Sequence, residues 1–564
     1  MTAIFAQLGR QVPADEIGWP RGGEPKAVSN DGYGESRGME PSAPYVSGAF
    51  NRQETIDWLP SRSSADGTIL RNRDLTLQRV RDLLRNDPTA GAALQRLADL
   101  IVGPGLRLSA TPDARALGIT PDAAREFGRK IQAEWRLFGE DPQRGCDANR
   151  RLTINGIFRL LARTHLSAGE ACGLLTWRDD PSMRYSTCVM TIDPDRISNP
   201  YQTIDTMTLR GGVEMDSFGA PIAYHVRNAH AGDWWAWGKA WTWTRVERRT
   251  KWGRPVFFHG FEPEREGQTR GVSPFASLVA RLKMLDKFAE TELASAVANA
   301  LFAAFVETDL PPDEVAQRLA PSATVAAGPR GAYIDEVVDH YTKNPAMLGG
   351  VRIPVMLPGS KITMNSTPRQ TTAFPSFERV FVNRMANRLG LPGELLTDFS
   401  QTNYSSARAA LNEMWRTVRR MSAVFAEQIT VPIYHAFLEE AFEKGYLTPP
   451  PGAPAFHDMP GAYLRARWIG PGRGYVDPVK EATASNLRMD SLTSTLEAEC
   501  VEQGLDMEET IEQIAYEKGL LDQFGLSRVS AASAAQPAAP GPDGAEDEDE
   551  PKPADRKAQN RDDQ

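Results

Sequence analysis

The residues that could carry chemistry are scattered. A phosphate-binding loop needs two glycines four residues apart, then Lys and Ser or Thr, so that amides and lysine meet the phosphates and the hydroxyl meets Mg²⁺. The nearest string runs from Gly232 to Lys239, but five residues separate its glycines and Ala240 follows the lysine. A helical zinc site needs two histidines one turn apart with a glutamate between them. His435 is followed instead by Ala-Phe-Leu-Glu-Glu. No Gly-x-Ser-x-Gly elbow presents a serine nucleophile. Of seven histidines only His225 and His230 stand close together, a spacing open to metal ligation or to ordinary packing. Gly470-Pro471-Gly472-Arg473-Gly474 precedes helical text, so it reads either as an anion site at a helix N-terminus or as a tight turn. Asp193-Pro194-Asp195-Arg196 reads as a turn at a strand end. These residues point to no catalytic constellation, no metal and no cofactor.

The composition narrows the classes further. The chain has 564 residues, 41% hydrophobic and 24% charged, with a formal net charge of −9. That length implies roughly three to four domains, with enough apolar material for a true core. A protein that wraps nucleic acid through general basicity leans the other way in charge, so DNA contact here is local or loose. Cys146, Cys172, Cys188 and Cys500 stand far apart, without a Cys-x-x-Cys pair, and read as reduced thiols rather than a disulfide framework or a zinc knuckle. The N-terminus MTAIFAQLGRQVPADEIG lacks a charged segment ahead of an apolar one, so it does not read as a signal peptide. No run of about 18 apolar residues is present, so no membrane-spanning helix is expected.

The elements that would position these residues are mostly helical. Residues 1–55, rich in Gly, Pro, Ser and Asn, read as a mobile arm. An apolar stripe from Leu75 to Ile101 predicts helix broken at Asp87-Pro88 and stopped by Gly103-Pro104-Gly105. Its arginines, Arg71, Arg73, Arg79, Arg81 and Arg85, suit a solvated face or a phosphate-facing patch. Helices are expected at 121–137 and 153–168, and strands through 170–260. Six tryptophans fall at Trp234, Trp235, Trp237, Trp241, Trp243 and Trp252; they read either as sheet residues packing on neighbours or as an interface or base-stacking platform. Ser273-Pro274, as N-cap and first helical residue, opens a helix of about 30 residues, with Ala filling many gaps. Residues 308–370 are irregular. A second helix is expected at Ser376–Leu389, stopped by Gly390-Leu391-Pro392, and a third from Ser405 to Lys444, kinked at Pro432. Helices at Pro478–Glu502 and Met507–Phe524 follow, and then a tail from Ser530 with nine acidic and four basic residues, expected to be disordered. The fold class is α+β, dominated by helix.

Four blocks in fixed order carry a family resemblance. GFEPEREGQTRGVSPFASLVARLKMLDKFAETELASAVANALFAAFVET (260–308) resembles the signature of the lambda-type portal proteins of tailed bacteriophages. PDRISNP (194–200) with GGVEMDSFGAPIAYHV (211–226) resembles that family's upstream block, and LPGELLTDFSQTNYSSARAALNEMWR (391–416) and GYVDPVKEA (474–482) resemble two more. The resemblance covers about residues 60–530. It implies a ring, usually of twelve subunits in that family, at one vertex of the phage head. Double-stranded DNA enters through the ring, driven by a separate terminase, whose large subunit it docks, and later leaves into the tail. The ring also nucleates head assembly with major capsid and scaffold proteins and docks a head–tail adaptor. It implies residence in the virion, with assembly in the host cytoplasm and no membrane.

The implied portal fold has a wing, a stem, a clip and a crown. On this chain it maps to an N-terminal arm at 1–55, which a head protease would trim, and a wing at 56–270. The first stem helix is 271–306, the clip 307–372 and the second stem helix 373–390. The tunnel-loop region is 391–404, the long kinked helix with its wing return 405–475, the crown 476–529 and the acidic tail 530–564. The channel-facing tunnel loop would be Thr397, Asp398, Phe399, Ser400, Gln401, Thr402 and Asn403, with one acid and no Lys or Arg. A conduit must not grip DNA, because each phosphate contact would retard it. Arg352 and Lys361 in the clip, and Arg379, Arg384 and Arg388 on the second stem helix, would supply weak basic belts once repeated around a ring, or intersubunit and surface salt bridges. The alternative reading is an enzyme of the packaging apparatus or prophage, such as a nuclease with a carboxylate-held metal. A packaging motor is excluded by the missing phosphate loop. A monomeric DNA-binding module is disfavoured by the negative charge and the apolar long helices.

Overall fold

A computed structural model describes residues 57, 59–60, 62–301, 347–348, 351–352, 374–397, 404–474 and 477–526. The expected arm (1–55) and acidic tail (530–564) lie outside them, as does most of the expected clip. The chain divides into Met1–Ser63 and a compact unit from Ser64 onward, and the architecture below is that of the second unit.

Short α1 (Ala65–Ile69) precedes α2 (Arg73–Asn86), which buries Leu77, Val80 and Leu83, one face of a helix. The expected break at Asp87-Pro88 is present. Asp87 Oδ1 accepts the N–H groups of Thr89 and Ala90 at 2.8 and 2.9 Å, and Pro88 opens α3 (Pro88–Ile101), where its missing donor costs nothing. β1 (Arg107–Ala110) and short α4 (Ala114–Leu117) lead to α5 (Pro121–Gly139) and α6 (Ile154–Ala168), each capped by a threonine hydroxyl, Thr120 and Thr153.

The strand-rich region is as expected. β2 (Glu170–Trp177), β3 (Thr187–Ile192) and β8 (Phe257–Phe261) form an antiparallel sheet in the order β3-β2-β8. Between β3 and β8 a second sheet is inserted, ordered β4-β5-β6-β7 from Leu209–Arg210, Val213–Met215, Pro221–Arg227 and Trp243–Glu247. The two pack through Cys172, Ile192, Met215, Tyr224 and Phe257, with Tyr224 stacked on Phe257 at 4.4 Å. The connection from β6 to β7 carries a 3₁₀ turn (Trp234–Ala236) and α7 (Trp237–Ala240).

α8 (Val279–Leu301) follows, then the two-residue strands β9 (Met347–Leu348) and β10 (Val351–Arg352), α9 (Phe374–Leu389), α10 (Tyr404–Phe425) and α11 (Val431–Glu443). α11 is apolar nearly all round, with Ile433, Tyr434, Ala436, Phe437, Leu438 and Ala441 at the centre of the main core. Trp135, Phe138, Tyr185 and Trp468 ring Tyr434 and Phe437, with centroid separations of 5.1–5.8 Å for Trp135 and Trp468. Burying each such side chain contributes about 1.5–3 kcal/mol. After short α12 (Pro460–Tyr463), β11 (Ala466–Ile469) pairs antiparallel with β1, returning the C-terminal part of the chain to its first helices. α13 (Pro478–Asp490), α14 (Leu496–Glu502) and α15 (Met507–Gln523) complete the unit, which is α+β and dominated by helix.

Two expectations are corrected and two are refined. Ser273 does not cap the long helix: its hydroxyl is buried, donates to Leu166 O at 2.9 Å and accepts the Phe275 N–H. The chain then passes through a 3₁₀ turn at Ala276–Leu278 before α8 begins. The helix expected from Ser405 to Lys444 is present without a break from Tyr404 to Glu443, and its irregularity is a π turn at Ala426–Thr430, just ahead of Pro432. Proline there has no N–H and its ring would strike the carbonyl four residues back, so the ladder widens before it. The helix expected at Pro478–Glu502 breaks at Leu492, whose φ is +58°. Among the tryptophans, sheet packing describes Trp243, whose Nε1 donates to Ser198 at 3.0 Å; Trp234, Trp235, Trp237 and Trp241 are exposed on the β6–β7 connection.

Candidate functional site

α8 and α9 run side by side in opposite directions. Phe288 meets Phe377 at 4.9 Å, Phe377 meets Phe381 at 4.7 Å, and at the other end Arg388 reaches Ser277. Both helices keep apolar side chains in solvent, including Met284, Leu293, Phe377 and Val380.

α9 ends at Gly390, whose φ of +70° and close approach to Thr417 leave no room for a side chain. Leu391 is buried beyond it. A 3₁₀ turn at Gly393–Leu395 then packs so tightly on Asn383 that a methyl at Gly393 would overlap that side chain. Thr397 closes this base, its N–H and Oγ1 both donating to Gly393 O at 3.1 Å. The rest of the expected tunnel loop, Asp398, Phe399, Ser400, Gln401, Thr402 and Asn403, lies outside the described residues, and α10 begins on its far side at Tyr404. The loop therefore springs from a pinned base.

The five basic candidates separate. Arg388 donates to Glu264 at 3.2 Å, tying the end of α9 to the segment that leads into α8. Arg379 and Arg384 are exposed and have no ion-pair partner among the described residues. Arg352 lies on β10 in register with Met347, and Lys361 lies outside the described residues. On α10, Arg416 pairs with Glu413, Arg419 with Glu502 and Arg420 with Glu262.

The root of α8 is held by a buried charge cluster that the sequence reading missed. Glu170, at the start of β2, accepts from Arg73, from Arg270, from the Gly271 N–H at 2.8 Å, and faces His259 at 3.0 Å. Burial alone would raise the Glu170 carboxyl, but Arg270, Arg73 and His259 outweigh it and hold it well below the carboxylate range. Burial pushes the His259 ring down from its ordinary value. Arg270 also donates to the carbonyls of Pro194, Ile197 and Gly211, and Asp66 accepts from Thr269 and pairs with Arg210. A carboxylate–histidine pair could serve acid–base chemistry, but both side chains are sealed from solvent and the acid is saturated with donors. The usable signal was an arginine in Thr269-Arg270-Gly271 beside a glutamate opening an apolar strand.

The other sequence candidates resolve as structural. Arg81 clamps Asp193 and Asp195 at 2.6 and 2.7 Å, and Arg73 is buried against Glu170, so two of the five helix arginines face inward. His225 meets Glu214 and His230 meets Asp195, so the two histidines do not converge. Among the described residues no group of three or more His, Cys, Asp or Glu could hold a metal. At Gly470–Gly474 the Arg473 N–H donates to Glu502 O and Gly472 packs on the Gln503 backbone, so this stretch is held by contacts with the end of α14 rather than by a turn of its own.

Comparison with known proteins adds a family likeness. The model for phage portal proteins of the lambda family matches residues 51–421, more than half of the chain. The chain is 33% identical over 481 residues to the portal protein of Escherichia phage N15, covering 85% of this chain and 90% of that protein. It is 32% identical over 459 residues to portal protein B of Escherichia phage lambda, covering 81% and 85%. Among solved structures, the neck of an empty gene transfer agent particle aligns over 76% of this chain and 93% of that one, with 14% identity and a TM-score of 0.39.

Proposed function

The chain belongs to the lambda family of phage portal proteins, and on that premise we propose that copies of it close into a ring, twelve in number, around a channel for double-stranded DNA. The ring is the passage through which a terminase packages the genome and through which the genome later enters the tail. It acts without catalytic residues, metal or cofactor. It sits in the virion, is assembled in the host cytoplasm with capsid and scaffold proteins, and docks the terminase and the head–tail adaptor.

The observation that carries this reading is the antiparallel pair α8–α9 with its apolar outer faces. A two-helix rod with Met284, Leu293 and Val380 in solvent is incomplete alone and complete when flanked by copies of itself. The pair corresponds to the stem, residues 307–372 between its helices to the clip, and 478–525 to the crown. The pinned base at Gly390–Thr397 offers residues 397–403 as the tunnel loop. Arg379 and Arg384, free of ion pairs among the described residues, are the better candidates for a DNA-facing belt, with Arg352 and Lys361 in the clip. Arg388 serves instead as a strut to Glu264.

Mass photometry of the full chain tests the ring: particles near twelve times 62.1 kDa with a central channel are expected. Gln401→Ala with Asn403→Ala should impair DNA packaging or retention while leaving ring formation intact. Loss of rings in that variant would overturn the loop assignment. A compact monomer that cleaves DNA with Mg²⁺ would replace the conduit with the nuclease reading.

A further inference from the structure

Four tryptophans crowd the β6–β7 connection. Trp234, Trp235, Trp237 and Trp241 are 79, 70, 62 and 45% exposed, and they contact one another in edge-on pairs at 5.8 Å, Trp234 with Trp235 and Trp237 with Trp241. At 150–250 Å² per aromatic side chain, this knob presents roughly 400–600 Å² of aromatic surface. That is more than half of the roughly 800 Å² that one partner contributes to a standard stable interface. Asp233 and Lys239 are the only Asp, Glu, Lys or Arg from 229 to 243, so the knob is neutral and carries no cationic frame for phosphates.

A groove of about 680 Å³ lies beside the β7–β8 turn, walled by Leu175, Trp177, Trp252 and Val256 and rimmed by Glu443 and His457. Its charges are already matched. Glu439 accepts from Trp252 Nε1 at 2.8 Å and from Arg254 at 3.0 Å. Arg254 and Lys444 stand 5.6 and 5.4 Å from the Trp177 ring, so the cationic contacts to that indole come from within the chain. Glu443 Oε1 meets His457 Nε2 at 2.9 Å, so what remains open is the aromatic wall with the second Glu443 oxygen at the rim, complementary to a neutral indole: stacking for the ring and that oxygen as acceptor for its N–H.

Knob and groove stand at opposite ends of β7, a five-residue strand of roughly 17 Å, so a hairpin cannot fold back to satisfy itself. We propose that the tryptophan knob of one copy seats in the Trp177–Trp252 groove of the next, a heterologous head-to-tail contact that repeats around the ring. A knob and a socket on different surfaces of one chain make the kind of contact that closes a ring rather than a two-fold dimer. The inference rests on the ring reading above and adds to it which surfaces meet.

Full-length chains carrying Trp235→Ser with Trp237→Ser, and separately Glu443→Trp to fill the groove, test it by mass photometry, with thermal unfolding to show that each variant folds. Each variant alone should lose rings by about tenfold or more. Mixed together they should form pairs near twice 62.1 kDa and nothing larger, because only one intact knob and one intact groove remain per pair. Should the knob variant fail to fold, oxidation of Lys239→Cys with Glu443→Cys decides: a ladder of covalent multimers supports the contact, its absence overturns it. Wild-type rings that survive in the folded knob variant overturn the contact alone and assign the knob to a different protein of the particle. A wild-type chain that never forms rings overturns the ring reading and the contact with it.

Discussion

Arg270 lies against Glu170 with its Nε 3.1 Å from both carboxylate oxygens, and the two side chains are 1 and 0% exposed. The pair joins the start of β2 to the segment entering α8, so the strand-rich body and the proposed stem share one buried charge. Removing one member strands the other without water. Arg270→Met should therefore cost about 3–5 kcal/mol, read as a shift in the urea unfolding midpoint. A loss below ~1 kcal/mol, the range of exposed pairs, would show that Arg73 and His259 suffice to hold Glu170.

Gly390→Ala places a side chain at a φ of +70° with Thr417 Cγ2 2.5 Å away. The left-handed backbone alone costs about 1–2 kcal/mol. Adding Thr417→Ser should recover the steric part of the loss and leave the backbone part. Equal stability of Gly390→Ala and the wild type in thermal unfolding would show that the base of the loop relaxes freely.

The arginines of α9 should separate by function. Arg379→Ala and Arg384→Ala should each lower the salt dependence of DNA binding by the ring, by about 0.9 in the slope of log K on log salt per lost phosphate contact. Arg388→Ala should leave that slope unchanged and cost about 0.2–1 kcal/mol of stability, since its pair with Glu264 is exposed. A slope that falls with Arg388→Ala and not with the other two would reverse the assignment.

Acid should loosen the last helices at a defined point. Hydrogen bonds from Arg488 at 2.7 and 2.9 Å, and then from Ser485 at 2.7 Å, hold the Glu499 carboxyl down at about 2. A carboxyl depressed in the folded state contributes stability that is complete above its unfolded value of about 4.3 and is lost as pH falls towards the folded value. Hydrogen exchange across 485–499 should thus accelerate relative to Arg488→Ala as pH drops from about 4 to 2. An unchanged ratio across that range would show that the Arg488–Glu499 contact does not bind α13 to α14.

Much of the fold was legible because it is written in local rules. Asp87-Pro88 ends one helix and starts the next, Gly103 and Gly390 stop helices, and short apolar runs separated by turn residues from Glu170 to Phe261 give the strands. The family blocks at 194–226, 260–308, 391–416 and 474–482 depend only on residue order and needed no coordinates. The missed features depend on partners far apart in sequence. Ser273 reads as the cap of the long helix by its neighbours, but a 3₁₀ turn at Ala276–Leu278 intervenes before that helix starts, and the hydroxyl also ties the segment to Leu166 O on another element. Arg81 and Arg73 look like a solvated stripe until Asp193, Asp195 and Glu170, about a hundred residues away, fold against them.

By itself the sequence determined the element types, the family and the absence of a nucleotide loop, because propensity, periodicity and spacing act over a few residues at a time. Only the tertiary structure decided which charges are spent inside and which surfaces stay open. It paired Arg388 with Glu264 and left Arg379 and Arg384 exposed, without an ion pair among the described residues; it put four tryptophans in water and an aromatic-walled groove at the far end of β7. Those outcomes turn on burial and on long-range pairing, and a side chain's chemistry does not reveal either until its neighbours in space are known.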